Sequence, residues 1–236
     1  MIITNTNALS KWSLRRPVPD AGDVGHIDFA IARNGDIKDV MRLYKKEESR
    51  MNKLLQMDRK EAVLIVVDVQ EVLMKQMNQE IGKNVIRNIK TLLAFAKEMS
   101  IPILITEQYP KGLGKTVSEI RMELGSILPI EKLSFSCCRA KMFNDQLNQS
   151  ARRQVILTGI ETHVCVLQTA NDLIQEGYGV HAVADAICSR RKLDWEIGLR
   201  WMEKRGAMIS TTEIIAFQLL KEAGTEEFSG LSKLLR

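Results

Sequence analysis

The sequence predicts an α/β fold, a parallel sheet with helices on both faces. Three observations predict it. Ala62-Val-Leu-Ile-Val-Val67 is an unbroken, β-branched apolar run of the kind buried on both faces of a parallel sheet. From that run onward, strand-like and helix-like stretches alternate about six times. With 236 residues the chain can bury the core that such a sheet needs.

After the first strand, Ile81, Val85, Ile89, Leu92 and Ala96 repeat at helical spacing and predict a helix from Ile81 to Met99. Pro102 to Thr106 is the second strand, and Lys111 to Lys115 a loop. Ser118 to Leu124 is a short helix with Ser118 as N-cap. A brief extended piece at Pro129 to Lys132 precedes a helix over Ala140 to Gln149. Gln154 to Thr158 is a buried strand that turns at Gly159 into another helix. Strand Val180 to Ala184, helix Asp194 to Arg205, strand Ala207 to Ser210 and helix Glu213 to Ala223 complete the alternation, with a last short helix over Phe228 to Leu235. In such sheets the site lies at the carboxyl ends of the strands, where Asp68, Glu107, Lys132, Thr162 and Asp185 fall.

Residues 1–57 do not resemble the rest of the chain, so the domain is placed at 58–236. Pro17, Pro19, Gly22, Gly25 and Gly35 interrupt any period, and only Ile37 to Leu55 reads as helical. The segment is expected to be a poorly ordered or partly helical extension. Two readings stand open: a docking arm, or a translation start at Met51. Lys46-Glu47-Glu48 can be encoded as a ribosome-binding sequence just upstream of Met51 in a bacterial message, and a native peptide covering Asp28 to Arg33 would rule that out. The segment holds ten Lys and Arg against seven Asp and Glu, whereas the remainder holds 24 against 22. The net charge of +5 therefore forms no dense basic run, and no nucleic-acid partner is expected. No apolar run is long enough to span a membrane, the N-terminus lacks a signal-peptide core, and the four cysteines do not form a disulfide framework. A cytoplasmic location is the expectation.

The stretch Arg153 to Gln168 carries the first chemical signal. It reads as strand, glycine turn, then a helix with Cys165 in its first turn. The free N–H groups and positive dipole end there favour thiolate and offer donors to an oxyanion, although a lone cysteine is as readily a small buried hydrophobe. Other chemistries lack their residues. The turn Asp68-Val-Gln-Glu after the first strand has no glycines for a dinucleotide, and Gly112-Leu-Gly114 lies in a later loop. His26, His163 and His181 are scattered, so no metal is expected, and no Gly-x-Ser-x-Gly elbow exists. An acid, a base and a thiol remain at strand ends: Asp68, Lys132 and Cys165. Lys132 is the candidate partner for a carboxylate that would be costly to bury alone, unless it is an ordinary surface lysine. Cys137, Cys138 and Cys188 read as packing, and His163 as capping or solvated. Asp185 and Ser189-Arg190 shape a rim or merely a loop. Trp195 and Trp201 lie near one helix face and read as packing, at the interface of a homo-oligomer, dimer or tetramer.

Taken together, Val66-Val-Asp-Val-Gln70, Lys132-Leu-Ser-Phe-Ser136 and Gly159-Ile-Glu-Thr-His-Val-Cys-Val166 resemble the isochorismatase-like cysteine hydrolases. Thr106 to Gly114 and Ala184 to Arg190 most resemble the branch of isochorismatase domain-containing proteins, and the resemblance spans about residues 60–222. It implies a three-layer α/β/α Rossmann-like fold with about six parallel strands in the order 3-2-1-4-5-6. It also implies roles. Cys165 is the nucleophile, Asp68 the general base, and Lys132 the group that holds Asp68 and favours thiolate. The Ile160–Glu161 bond is implied to be cis, aiming the Glu161 N–H with that of Cys165 at the oxyanion. Gln70, Gln108, Tyr109, Phe135 and Thr162 are candidate pocket residues. Two departures narrow the reaction. The loop Glu107-Gln-Tyr109 lacks the histidine with which nicotinamidases bind a metal, and the isochorismatases proper lack the cysteine. The expected activity is a metal-independent, cofactor-free hydrolysis of a small amide or carbamoyl C–N bond through a thioester. A binding or scaffold protein with a vestigial triad is the alternative.

Overall fold

The chain is described from a computed structural model that covers residues 41, 42, 45, 54 and 56–235. It divides into two units, Met1–Ser49 and Arg50–Arg236. Of the first unit, Met41, Arg42 and Lys45 are described, and all three are helical. Most of the helix expected over 37–55 lies outside the described residues, as does the segment bearing on the start at Met51.

The second unit is built on six parallel strands in the order β3-β2-β1-β4-β5-β6. They are β1 (Ala62–Val67), β2 (Ile103–Gln108), β3 (Ile130–Lys132), β4 (Gln154–Ile160), β5 (Gly179–Cys188) and β6 (Met208–Ser210). Helices α1 (Glu71–Met74), α2 (Gln79–Glu98), α3 (Pro110–Leu113), α4 (Ser118–Leu124), α5 (Lys141–Ser150), α6 (Leu167–Gln175), α7 (Lys192–Lys204), α8 (Thr212–Leu220) and α9 (Glu226–Leu231) complete it. The fold class and strand order are those expected.

β1 shows why. All six residues are buried, and alternation sends Ala62, Leu64 and Val66 into one core while Val63, Ile65 and Val67 enter the other. The first core packs under α2 and α8, the second under α5, α6 and α7. Truncating a residue such as Leu64 to alanine would cost about 2–5 kcal/mol. Helix α2 starts where Asn78 accepts from the backbone N–H of Glu80 and Ile81, and it buries Val85, Ile89, Leu92, Phe95 and Ala96. Ile81, expected on that buried face, is exposed instead, because the stripe begins one turn later. The loop expected at Lys111 to Lys115 is largely the one-turn helix α3. Residues before 58 belong to this unit too. Met57 is fully buried, and the His181 ring Nε2 lies 3.2 Å from the Leu54 carbonyl.

The chain moves outward from β1 to β3, then returns to lay β4 on the other side of β1. That reversal opens a crevice between the carboxyl ends of β1 and β4. Gly159 brings these ends unusually close. Its φ is +113°, and a Cβ there would meet the Val67 carbonyl oxygen at 2.1 Å. Opposite it, β5 shifts register between Leu157 and Gly159, so its side-chain parity changes beyond Ala184.

Candidate active site

Asp68 is the first residue past β1. Its φ of 50° lies in the left-handed region, which Asp tolerates better than most residues. Three contacts hold it there. Its N–H donates to the Thr106 carbonyl at 3.2 Å. The Thr106 hydroxyl donates to Oδ1 at 2.7 Å, and the Lys132 ammonium donates to Oδ2 at 2.6 Å. Both members of the ion pair have fully buried side chains. Two buried charges are tolerated only when they are paired and hydrogen-bonded, which is the case here.

Lys132 ends β3 and reaches across β2. Its Nζ also donates to Gln108 Oε1 at 2.9 Å and to the carbonyls of Ser134 and Phe135, each at 3.1 Å. Burial by itself would lower the Lys132 pKa, but the Asp68 carboxylate, with the Cys137 and Cys165 sulfurs, raises it above the ordinary lysine value. The side chain is therefore an ammonium at neutral pH.

Two of the expected pocket residues act as struts behind this pair. Gln70 donates to the carbonyls of Gln108 and Gly114 at 3.0 and 2.7 Å and accepts from the Gln108 N–H at 2.7 Å. Gln108 donates to the Leu133 carbonyl at 2.7 Å, so its Oε1 is turned to Lys132. Tyr109 and Phe135 are about half exposed, on the rim. Thr162 is fully buried, and its hydroxyl has no hydrogen-bond partner among the described residues.

Cys165 comes from the other side of the crevice. The Ile160–Glu161 peptide is cis, and the chain then forms a π-turn over Thr162–Val166 before α6. The Glu161 carbonyl accepts from the N–H groups of Val164 and Val166 at 3.0 and 3.3 Å. Cys165 is buried, and the charge of the Asp68 carboxylate acts on its thiol. Burial first, and then the Asp68 charge, push the thiol well above the ordinary range, with Lys132 acting in the opposite sense. The resting group is thus a thiol. This reverses the expectation that the helix end would favour thiolate: burial and an adjacent carboxylate outweigh a partial dipole charge.

Sequence reasoning overlooked two contributions. Thr106 supplies the second bond to Asp68, and a β-branched hydroxyl at the end of an otherwise apolar strand was the available signal. The Glu161 side chain is buried, and its Oε2 accepts from the Arg190 N–H at 3.1 Å and Nε at 3.0 Å, tying the ends of β4 and β5 together. Asp185 does not reach the rim. Its Oδ1 accepts from the N–H and hydroxyl of Thr212 at 2.8 and 3.0 Å, at the start of α8. His163 pairs with Ser189, Nδ1 to Oγ 3.0 Å. Among the described residues no three His, Cys, Asp or Glu side chains gather as a metal site. An open groove lined by Lys83, Arg87, Lys90, Glu119 and Glu123 lies on α2 and α4 and contains none of Asp68, Lys132 and Cys165.

A doubly wound parallel sheet with a buried acid, ammonium and thiol at its switch point defines an α/β protein built like a hydrolase. Comparison with known proteins narrows this: the family model for the isochorismatase domain matches residues 62–214, and the chain belongs to the isochorismatase family. It is 38% identical over 176 residues to isochorismatase domain-containing protein 2 of Danio rerio, covering 75% of this chain and 87% of that protein. It is 38% identical over 179 residues to the secreted isochorismatase effector Isc1 of Phytophthora sojae, covering 74% of this chain and 84% of that one. The solved structure of MAR1 ribonuclease from Caenorhabditis elegans superposes with a TM-score of 0.71 at 36% identity, covering 76% of this chain and 92% of that chain. No helix among the described residues is long and apolar enough to cross a membrane.

Proposed function

We propose that this isochorismatase-family protein is a metal-independent cysteine hydrolase that cleaves a small, non-peptide amide or carbamoyl C–N bond. One observation supports the reading above all others: a buried carboxylate, held by Lys132 and Thr106 at 2.6 and 2.7 Å, lies near enough to the buried Cys165 thiol for its charge to raise the thiol pKa. A protonated nucleophile needs a base within hydrogen-bond reach, and Asp68 is that base. As Sγ attacks the carbonyl carbon, the thiol proton passes to Asp68 and negative charge moves to the carbonyl oxygen. The N–H groups of Glu161 and Cys165 receive that oxygen, each such donor being worth roughly 10²–10³ in rate. The C–N bond then breaks, Asp68 returns the proton to the departing nitrogen, and an S-acyl enzyme remains. Water next gives a proton to Asp68 and attacks the thioester, and Cys165 leaves as thiol.

Lys132, its pKa raised, stays an ammonium throughout and remains the cationic partner of Asp68. The unpartnered Thr162 hydroxyl is available to a polar group of the substrate. Glu107, the acid of the loop after β2, is committed to Thr116, with Oε1 accepting from its N–H at 2.6 Å and its hydroxyl at 2.7 Å. That commitment supports chemistry without a metal. The four buried free thiols suit a reducing compartment such as the cytoplasm. Leu193, Ile197 and Trp201, exposed at helical spacing on α7, suit a homo-oligomer.

The test is ammonia release from a panel of primary amides and N-carbamoyl compounds, with Cys165→Ala as control. Turnover that vanishes in Cys165→Ala, with an acyl mass trapped on Cys165 in the parent, is the expected result. Turnover that survives the substitution would overturn the reading. So would a panel with no turnover alongside RNA cleavage that is unaffected by Cys165→Ala.

A further inference from the structure

Cys137 is fully buried beside the ion pair, and the thioester chemistry of Cys165 makes no use of it. Its sulfur lies 3.7 Å from the Thr106 hydroxyl. The direction of that bond follows from counting protons. Thr106 has a single hydroxyl proton. Asp68, paired with an ammonium, is a carboxylate and can only accept, so at 2.7 Å the Thr106 proton points to Oδ1. The Thr106 oxygen is then left as acceptor, and the sulfur must be the donor. Burial raises the Cys137 pKa to about 11, so its proton is present at neutral pH.

The loop from Lys132 to Cys137 therefore grips both carboxylate oxygens. Lys132 takes Oδ2 directly, while Cys137 reaches Oδ1 through Thr106. The far end of the loop is fastened as well. The Cys137 N–H donates to Thr169 Oγ1 at 3.0 Å, on the helix that continues from the nucleophile turn. The Ser136 hydroxyl accepts from the Cys138 N–H at 3.3 Å and closes the turn.

We propose that Cys137 and Thr106 are positioning residues for the base: a relay from the Cys137 thiol through the Thr106 hydroxyl to Asp68 Oδ1 fixes the plane of the carboxylate against Cys165. The relay rests on the cysteine-hydrolase reading. With Oδ1 and Oδ2 each holding one donor, the remaining lone pair that faces Cys165 keeps one orientation. Without the relay, the carboxylate turns about its Cα–Cβ and Cβ–Cγ bonds and meets the thiol less often in line. The cysteine at 137 is then more than core filler, because it supplies a proton that an alanine would not.

The probe is iodoacetamide on the full chain, with alkylation at Cys165 located by peptide mass spectrometry. Loss of one hydrogen bond to a charged group is expected to slow Cys165 labelling roughly tenfold or more in Thr106→Val, while Thr106→Ser stays within about twofold of the parent. Cys137→Ala is expected to slow it about three- to tenfold, and Cys137→Ser to restore it. The deficit should narrow from about pH 7 to about pH 10, as hydroxide replaces the oriented base; a packing defect would persist. Parental labelling in Thr106→Val, with Asp68→Asn slow, overturns the relay and leaves the hydrolase reading standing. Parental labelling in Asp68→Asn removes that reading and the relay with it. If Thr106→Val does not fold, Cys137→Ala decides, since a parental rate there takes the sulfur out of the relay.

Discussion

Replacing Lys132 with methionine keeps most of the stem volume and removes the charge. Asp68 is then left fully buried with its Oδ2 unpaired, because the ammonium at 2.6 Å was its sole cationic partner among the described residues. The Thr106 hydroxyl at Oδ1 cannot neutralise it. Breaking a buried pair from one side typically costs about 3–5 kcal/mol, and in a domain of this size each kcal/mol lowers Tm by about 2–4 °C, so Lys132→Met should melt roughly 6–20 °C below the parent. The freed Gln108 Oε1 and the carbonyls of Ser134 and Phe135 place the loss toward the upper end. Adding Asp68→Asn should recover much of the loss, because the uncompensated charge is gone, while Cys165 labelling stays slow because the base is gone too. The assay is thermal unfolding of the two single variants and the double variant, read beside Cys165 alkylation. A Lys132→Met protein that melts within a degree or two of the parent would refute the buried pair. So would a double variant no more stable than Lys132→Met.

Gly159→Ala should be among the most damaging small substitutions. It combines a φ of +113° with a 2.1 Å approach to the Val67 carbonyl, so a loss of about 3 kcal/mol or more is expected by thermal unfolding, and full parental stability would show that β4 does not hug β1. The pair also sets a pH dependence. A lysine whose folded pKa is raised contributes stability that is complete below its unfolded value of 10.5 and is lost as pH climbs through the higher folded value. Parent stability should therefore fall more steeply above about pH 10.5 than that of Lys132→Met, and parallel curves would count against the raised pKa. Finally, Cys165 should show no thiolate plateau up to its ordinary value of 9.0, since its pKa is pushed up; ultraviolet thiolate absorbance appearing near neutral pH and lost in Cys165→Ala would contradict this.

Much of the sheet was legible because burial on both faces leaves a direct mark on composition. β1 is apolar throughout, and β4, buried along its whole length, carries the same mark. β5 was harder. It runs ten residues rather than five, because the register shift opposite Gly159 carries it on through Asp185, and a bulge arises between strands rather than within one. The short helices α1 and α3 were missed for a related reason: four residues make barely one turn and carry no period to read.

At the site, residue types were readable but relations were not. Asp68 and Lys132 stand 64 residues apart, and only the strand order β3-β2-β1 lets one reach the other across β2. Gln70 and Gln108 looked like pocket residues by position, yet their amides serve backbone carbonyls.

By itself, the sequence determined which stretches would be buried, that they alternate as strand and helix, and which side chains stand at strand ends, because hydrophobic period and local turn chemistry are written residue by residue. The tertiary structure alone decided that the thiol pKa is pushed up, that Thr106 and Cys137 stand behind Asp68, and that Glu161 binds Arg190. Those outcomes depend on desolvation and on charges brought within a few ångströms by chain crossing, and neither quantity exists until the sheet has closed.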